Sequence, residues 1–375
     1  MPGDIMTEND PAAAEDAGGE RPAPPLVSVL VLTWNHEAFI RPCLESILGD
    51  SFRNVELICC ENGSSDGTWA ELQRIAADHA DRRIVLFQNP PGTPVNAGFN
   101  SMIRRATGEL VCFFSGDDLF CGDRIARQVA AFAAAPALRI TYSNGLFLGG
   151  RQDGQPVHDD ARCLEVFAQE PKGVLRYIFE NRGLMIQTFM ARTDLIRAVG
   201  GFDEGALADD WILNIRLFSH LERPEQYSYL PFASFLYRQH ENNSYKNFPR
   251  QSKLMVDVVE KYYHFPDRTD ELARMYYFQA NVGAAYGFKH LGLTLGYLRQ
   301  ALALRFEPKH LVMFPARFVL ARPVRFYRNL RDDRRARRKA RTGGFGGGRP
   351  GGSPPAPHAL ENPAKPSPGT ERGRL

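Results

Sequence analysis

The chain reads as an α/β fold built on a mostly parallel, Rossmann-like sheet flanked by helices. Three observations predict this. Short runs rich in Val, Ile, Leu and Phe recur along the chain with helix-spaced segments between them, the pattern of repeated strand–helix–strand units. The early runs are almost continuously apolar rather than alternating, as strands buried on both faces should be. Polar clusters follow directly on three of the runs, where sheets of this type bind ligands.

Residues 27–32 (VSVLVL) form the first predicted strand. Residues 37–48 have helical spacing, with Phe39, Ile40, Leu44, Ile47 and Leu48 as the apolar set. A second strand is predicted over 55–60, a helix over 69–79 and a third strand over 83–87. A helix over 96–107 leads to a strand over 109–114. Residues 122–135 read as helix and 139–142 as strand. After Gly145 the alternation weakens. Residues 172–180 and 210–220 look helical, and 187–191 and 228–237 extended. Residues 251–263 and 271–304 read as a C-terminal helical extension.

Composition narrows the function classes. The chain has 375 residues, 43% of them hydrophobic, enough for a substantial core. A net charge of +3 argues against bulk binding of nucleic acid, and no nucleic-acid partner is expected. None of the 6 cysteines forms a C-x-x-C pair, so neither a zinc knuckle nor a thioredoxin-type site is indicated. Several lie in apolar runs, as small buried hydrophobes of a reducing compartment would. Residues 1–25 lack a basic start and an apolar stretch and are predicted to be a disordered arm. No apolar segment reaches the ~18–20 residues of a spanning helix. These features together predict a cytoplasmic protein.

Chemistry concentrates where Phe113-Phe114-Ser115-Gly116-Asp117-Asp118 ends a buried strand. Two adjacent carboxylates repel, and a divalent cation is the simplest offset. Such a cation could in turn hold a phosphate. Paired acids at a strand-to-helix turn also suit a helix cap, with Asp123 close by in the same role. The turn Glu61-Asn62-Gly63-Ser64-Ser65-Asp66-Gly67-Thr68 opens a helix, and Ser65 or Asp66 can cap it. Its acids can equally hold a nucleoside beside the helix N-terminus. The dinucleotide fingerprint G-x-G-x-x-G is missing after the first strand.

The combination is more specific than its parts. Residues 27–35, the Glu61 to Thr68 turn, Asn96-Ala97-Gly98-Phe99-Asn100, Ala106-Thr107-Gly108-Glu109 and Ser115-Gly116-Asp117-Asp118 occur in that order. Gly200-Gly201-Phe202-Asp203-Glu204, Asp209-Asp210-Trp211 and Tyr237-Arg238-Gln239-His240 follow. Over about residues 26–245 the chain resembles glycosyltransferase family 2. The resemblance implies a GT-A fold, a nucleotide-sugar donor, Mg²⁺ or Mn²⁺, and inversion at the anomeric carbon. It implies that Thr33, Asn35, Glu61, Asp66, Asn96 and Asp117 line the donor site, Glu61 standing where Asp is usual. It implies that Asp117, Asp118 and His240 hold the metal or diphosphate and that Asp210 is the catalytic base, with Asp209 as the alternative. Ser115 replaces the usual first acid of D-x-D, which shifts metal ligation onto Asp118, with Asp117 turned toward the ribose or a metal-bound water.

The expected organisation is a GT-A domain over 26–250, with a nucleotide half (26–145) and an acceptor half (146–250). A helical extension over 251–330 and a basic, then Gly/Pro-rich, disordered tail over 331–375 complete it. The expected acceptor is a hydroxyl of a glycan or its lipid carrier, and the expected donor is UDP-linked. Within 311–341, Phe314, Phe318, Phe326 and Tyr327 are interleaved with Arg317, Arg322, Arg325 and Arg328 before a strongly basic run. That pattern suits peripheral contact with an anionic membrane, although Pro315 and Pro323 interrupt a single helix. It also suits a solvated basic tail. Two rival functions remain: a non-catalytic nucleotide-sugar-binding scaffold, and a nucleotidyltransferase. The scaffold is disfavoured by retention of Asp117, Asp118, Asp210 and His240. The nucleotidyltransferase lacks its basic Gly-rich loop, since Thr33-Trp34-Asn35-His36 is not one.

Overall fold

The computed structural model describes residues 23–181, 184–206, 210–240, 248–308 and 315. The expected arm over 1–25, apart from 23–25, and the C-terminal tail lie outside them, as do Asp209 and most of 311–341. Residues 27–115 are built as the periodicity predicts. Strands β1 (Val27–Thr33), β2 (Val55–Glu61) and β3 (Arg83–Gln88) alternate with helices α1 (Ile40–Leu48) and α2 (Thr68–Asp78). Helix α3 (Val95–Ile103) then leads to β4 (Leu110–Ser115). All pairings among these strands are parallel, in register Val27↔Val55, Val27↔Leu110 and Glu56↔Arg83.

Strand alternation divides the core into two layers. Val27, Val29 and Val31 of β1 face the layer built with α1 and α2. Leu30 and Leu32 face the opposite layer, with Phe99 and Met102 of α3. Both faces are covered, which is why these strands read as unbroken apolar runs.

The residues after β4 extend the sheet by chain reversal. Strand β5 (Leu119–Phe120) is followed by α4 (Arg124–Ala134) and β6 (Ile140–Leu148). Helices α5 (Asp160–Phe167) and α6 (Pro171–Asn181), β7 (Met190–Arg192), α7 (Thr193–Ala198), α8 (Asp210–His220) and β8 (Tyr227–Arg238) complete it. Among the described residues the sheet order is β3-β2-β1-β4-β7-β6-β8-β5. Strand β7 runs antiparallel to both β4 and β6, so the second half of the sheet is mixed rather than parallel. Helices α9 (Phe248–Tyr262), α10 (Arg268–Ala285) and α11 (Leu291–Leu304) form the C-terminal extension.

Some boundaries moved for identifiable reasons. The first helix starts at Ile40 rather than 37, because the backbone N–H groups of His36 and Glu37 donate to Thr68 and Asp66 instead of entering a helix. The helix predicted over 96–107 ends at Ile103, since Glu56 captures the chain beyond it. The Glu56 carboxylate accepts bonds from the Thr107 N–H (2.6 Å) and hydroxyl (2.7 Å) and from the Gly108 N–H (3.1 Å). A Cβ at Gly108 would lie 2.7 Å from the Leu26 carbonyl, so only glycine allows this approach. The strand predicted over 139–142 runs to Leu148 because β8 pairs along it. Strand β5 and helices α5 and α7 were not anticipated. All six cysteines are free, and all but Cys121 are buried.

Burial opposes the charge of Glu56, but its hydrogen bonds outweigh that cost and hold the carboxyl below the usual glutamate range. Glu56→Gln should cost about 1.5–3 kcal/mol of unfolding free energy at neutral pH, the scale of a charged hydrogen-bond set. Because the folded-state value is depressed, this stability is present above the unfolded pKa of ~4.3 and is lost as pH falls through the folded value. Urea unfolding of both proteins as a function of pH should show the difference shrinking in acid.

Candidate active site

The sheet order reverses beside β1. The chain moves outward through β2 and β3 and then returns to β4 on the other side of β1. That reversal opens a crevice beyond the carboxyl ends of β1 and β4. The Asn62 N–H donates to the Thr33 carbonyl (2.9 Å) on one side, and the Gly116 N–H donates to the Leu32 carbonyl (3.0 Å) on the other. Thr33 to His36 and Ser115 to Asp118 therefore face each other. Gly116 is small by necessity: a Cβ there would lie 3.0 Å from both His36 Nδ1 and Thr33 Cβ.

Strand β5 brings a third segment to the crevice. Leu119 pairs with Leu236 and Phe120 with Phe235, in antiparallel register. This sets Asp117 and Asp118 against the end of β8. Arg238 donates its backbone N–H to Asp118 Oδ1 (2.9 Å) and its Nε–H to the Asp117 carbonyl (2.8 Å). His240 Nε2 lies 2.8 Å from Asp117 Oδ2, and His36 Nε2 lies 3.8 Å from the same oxygen. The Ser115 hydroxyl donates to Asp117 Oδ1. Phe39 is half-buried rather than a core residue. Its ring stacks on His240 at 5.4 Å, and the Arg238 guanidinium lies 5.1 Å from its centroid.

The two acids thus have different surroundings. Asp118 is fully buried and accepts from the Arg238 N–H and from the Gln187 amide (3.4 Å). Burial, reinforced by the Asp117 charge, drives its carboxyl well above the usual range. Asp117 faces the imidazoles. Burial works to raise it, but His36, His240 and the Ser115 hydroxyl outweigh that and hold it below the usual range. The Asp118 oxygens accept from protein donors, and Asp117 is the acid that lies beside His240. Burial lowers His36, against the pull of Asp117. The buried Thr33 Oγ1 and His36 Nδ1 have no protein partner.

The remaining expected donor residues divide. Asn35 adopts φ 54°, a left-handed conformation that Asn tolerates, and its Oδ1 accepts from the Ser65 N–H (2.8 Å). Asp66 accepts from the N–H groups of Glu37 (3.1 Å) and Thr68 (3.1 Å), and Glu37 accepts in return from Gly67 (3.0 Å). Burial disfavours the Asp66 charge, but these bonds place its carboxyl below the usual range. Glu61 accepts from the Ser64 N–H (2.5 Å) and the Gln88 amide (3.0 Å). Asn35, Glu61 and Asp66 thus clasp the two loops that wall the crevice. The amide nitrogen of Asn96 is committed elsewhere, to the carbonyls of Asp203 (2.6 Å) and Ala206 (3.1 Å). With Asn100, which donates to Phe202 (2.9 Å), it pins the 200–206 loop that leads toward α8. Asp210 occupies the first turn of α8, beside Trp211, whose indole donates to the Ile178 carbonyl (3.0 Å).

Four residues of the site escaped the sequence reading. His36 and Arg238 stand in segments quoted above but were given no role there, and Gln187 belongs by tertiary contact alone. Trp34 had a local signal: a large aromatic directly after a buried strand. It is 55% exposed at the crevice mouth.

The sheet with its strand-order reversal beside β1 is a mixed α/β fold that resembles GT-A glycosyltransferase structures. Residues 28–189 match the family described as glycosyl transferase family 2. Over that segment the chain is similar to that family. It is similar to the Escherichia coli UDP-Glc:alpha-D-GlcNAc-diphosphoundecaprenol beta-1,3-glucosyltransferase WfaP. Identity is 28% over 119 residues, 32% of this chain and 45% of that protein. Matches to the first curated relatives cover 38%, 48% and 45% of their lengths, so the chain spans less than half of each. Among solved structures, S. aureus TarS 1-349 in complex with UDP-GlcNAc has a TM-score of 0.56 at 18% identity, covering 79% of this chain and 89% of that one. The mannosyltransferase PcManGT from Pyrobaculum calidifontis, in complex with GDP-Man and Mn²⁺, has a TM-score of 0.51 at 18% identity, covering 81% and 83%. Both likenesses concern the fold.

The two acids should separate in mutagenesis. Asp118→Leu leaves the part-buried Arg238 N–H and Gln187 amide without an acceptor and should cost roughly 1–3 kcal/mol in all. Asp117→Asn, on the crevice side, should cost less stability. Chemical unfolding of the two variants at neutral pH checks this ordering.

Proposed function

We propose that the protein is an inverting, divalent-cation-dependent glycosyltransferase. It moves a sugar from a UDP-linked donor to a hydroxyl of a lipid-linked acceptor in cell-surface glycan synthesis. The observation that carries this reading is the Asp117 carboxylate held between His240 and His36 at the strand-order reversal of a family 2 domain. The UDP-sugar bound by TarS and the lipid diphosphate named for WfaP support the choice of donor and acceptor. The Mn²⁺ with PcManGT supports a cation.

The donor set fits Mg²⁺ or Mn²⁺ shared with a diphosphate. Among the described residues no group of three or more His, Cys, Asp or Glu side chains forms a metal cage. Cations of this kind are commonly held by one or two protein ligands plus phosphate oxygens and water. Asp117 and His240 would hold it, and when bound it neutralises charge on the departing diphosphate. The unpartnered Thr33 Oγ1 and His36 Nδ1 are polar atoms left for the donor. Trp34 offers an exposed indole face on which a base can stack. Asp118, buried, fixes the Arg238 backbone and through it the position of His240. Asp210 takes the proton of the acceptor hydroxyl as it attacks the face opposite the leaving group, so no covalent intermediate is needed. The 200–206 loop, held by Asn96, Asn100 and the Asp203–Lys261 pair (2.7 Å), positions the approach to Asp210.

A panel of nucleotide sugars assayed for transfer or hydrolysis with Mn²⁺ tests the reading. Asp210→Asn should lower turnover by about 10²–10⁴ while leaving donor affinity intact. Asp117→Asn and His240→Ala should weaken donor-dependent thermal stabilisation, and chelation should abolish turnover until metal is restored. Trp34→Ala should raise the donor Kd by roughly 2- to 10-fold, the scale of one aromatic contact. No turnover with any donor, together with no stabilisation by any nucleotide, would sink the proposal.

A further inference from the structure

The core beneath the crevice holds a positive charge. Arg124, at the start of α4, is 0% exposed. Among the described residues, both hydrogen-bond acceptors of its guanidinium are neutral. Its Nε–H donates to Gln128 Oε1 (3.2 Å) and its Nη2 to the Phe189 carbonyl (3.0 Å), while Nη1 has no protein partner. Asp50 lies near the start of the same helix, but its oxygens accept from the N–H groups of Phe52, Ile125 and Ala126. Burial disfavours the arginine's charge. A buried charge without a counter-ion is costly, and an apolar side chain of similar size in its place is often neutral or stabilising. Such a feature is expected where function, and not the core, requires it.

The contacts of Arg124 lead to the site by two routes. Gln128, one turn further along α4, donates to the Thr188 carbonyl (3.1 Å), which also accepts from the Ser143 hydroxyl (2.7 Å). The carbonyls of Thr188 and Phe189 are thus held from α4 and β6, and these residues end the turn Ile186–Thr188. From that turn Gln187 sends its amide to Asp118 (3.4 Å). The second route is aromatic. The guanidinium lies 4.5 Å from the ring centroid of Phe120 and 5.5 Å from that of Phe114. Phe120 is one of the two residues of β5, the strand that sets Asp118 against the end of β8. A cation attracts an aromatic face most strongly once it has lost its water. Both routes end at Asp118, which accepts the Arg238 N–H (2.9 Å).

We propose that Arg124 is a positioning residue for the transfer reaction: its buried guanidinium holds the Gln187 turn and Phe120 together, so that Asp118 fixes the end of β8. The effect on turnover rests on the function proposed above. The placement of the Arg238 backbone does not.

Arg124→Met, which keeps the bulk and removes the charge, tests this in the full chain. Native-state hydrogen exchange reads the Arg238 N–H directly. Its exchange should quicken by roughly 10-fold. The Asn62 N–H, bonded to the Thr33 carbonyl on the other wall, should exchange as in the wild type. The melting temperature should hold or rise. Gln187→Ala, at a half-buried position outside the core, should give the same selective exchange. With a donor found by the nucleotide-sugar panel, kcat/KM should fall roughly 10-fold or more in each single variant. The double variant should fall no further than the worse single one, because both changes break one chain of contacts. Arg127→Met, at an exposed arginine of the same helix, should change neither reading. Wild-type exchange at Arg238 in Arg124→Met or in Gln187→Ala overturns the proposal, as do additive losses of turnover. An Arg124→Met chain that melts lower or fails to fold, with faster exchange throughout, also overturns it, because the charge then serves stability alone. Selective exchange in a chain whose wild type turns over no donor supports the contact chain and counts against the transfer reading.

Discussion

Leu119 and Phe120 pair with Leu236 and Phe235, and the crevice depends on this short contact. It joins a loop from the first half of the chain to the last strand of the second. Without it Asp117 and His240, 123 positions apart, would have no reason to meet at 2.8 Å. The pairing is antiparallel, so the residues just before β5 lie against those just after the paired part of β8. That register directs the Arg238 N–H to Asp118 and the His240 ring to Asp117. Phe120 anchors the contact by packing edge-on to Phe114 at 4.5 Å in the core beneath.

Adjacent carboxylates cannot both be charged cheaply in a buried setting. Here the conflict is resolved by dividing the pair. Asp118 is the deeper acid, bound by neutral donors and pushed toward its protonated form. Asp117 keeps its charge by facing two imidazoles and a hydroxyl. The same division assigns work, with one acid holding the frame and the other presented to the crevice. Ser115 adds no charge to the pair and donates a hydrogen bond to Asp117.

The loops around the crevice are held by side chains that would look functional in isolation. Glu61, Asp66 and Asn35 accept backbone bonds across the β1 and β2 loops, and Asn96 and Asn100 do the same for the 200–206 loop. A motif can therefore mark a site without each of its members touching a ligand. Some members hold the backbone where the ligand-facing atoms need it.

The strands and helices of 27–134 were legible because a parallel sheet covered on both faces leaves unbroken apolar runs, and amphipathic helices leave a 3.6-residue period. The order of motifs was enough for family and fold, and the polar clusters after β1, β2 and β4 located the crevice. Tertiary structure alone decided the rest. A two-residue strand is too short to leave any period, so β5 was invisible, and only the family resemblance, not periodicity, brought Asp117 and His240 together. Which of two neighbouring aspartates turns inward depends on donors from Gln187 and Arg238, about 70 and 120 residues away. Sequence determined which chemical groups reach the crevice, because local patterning specifies each element. Their roles came from long-range pairing, which no local pattern encodes.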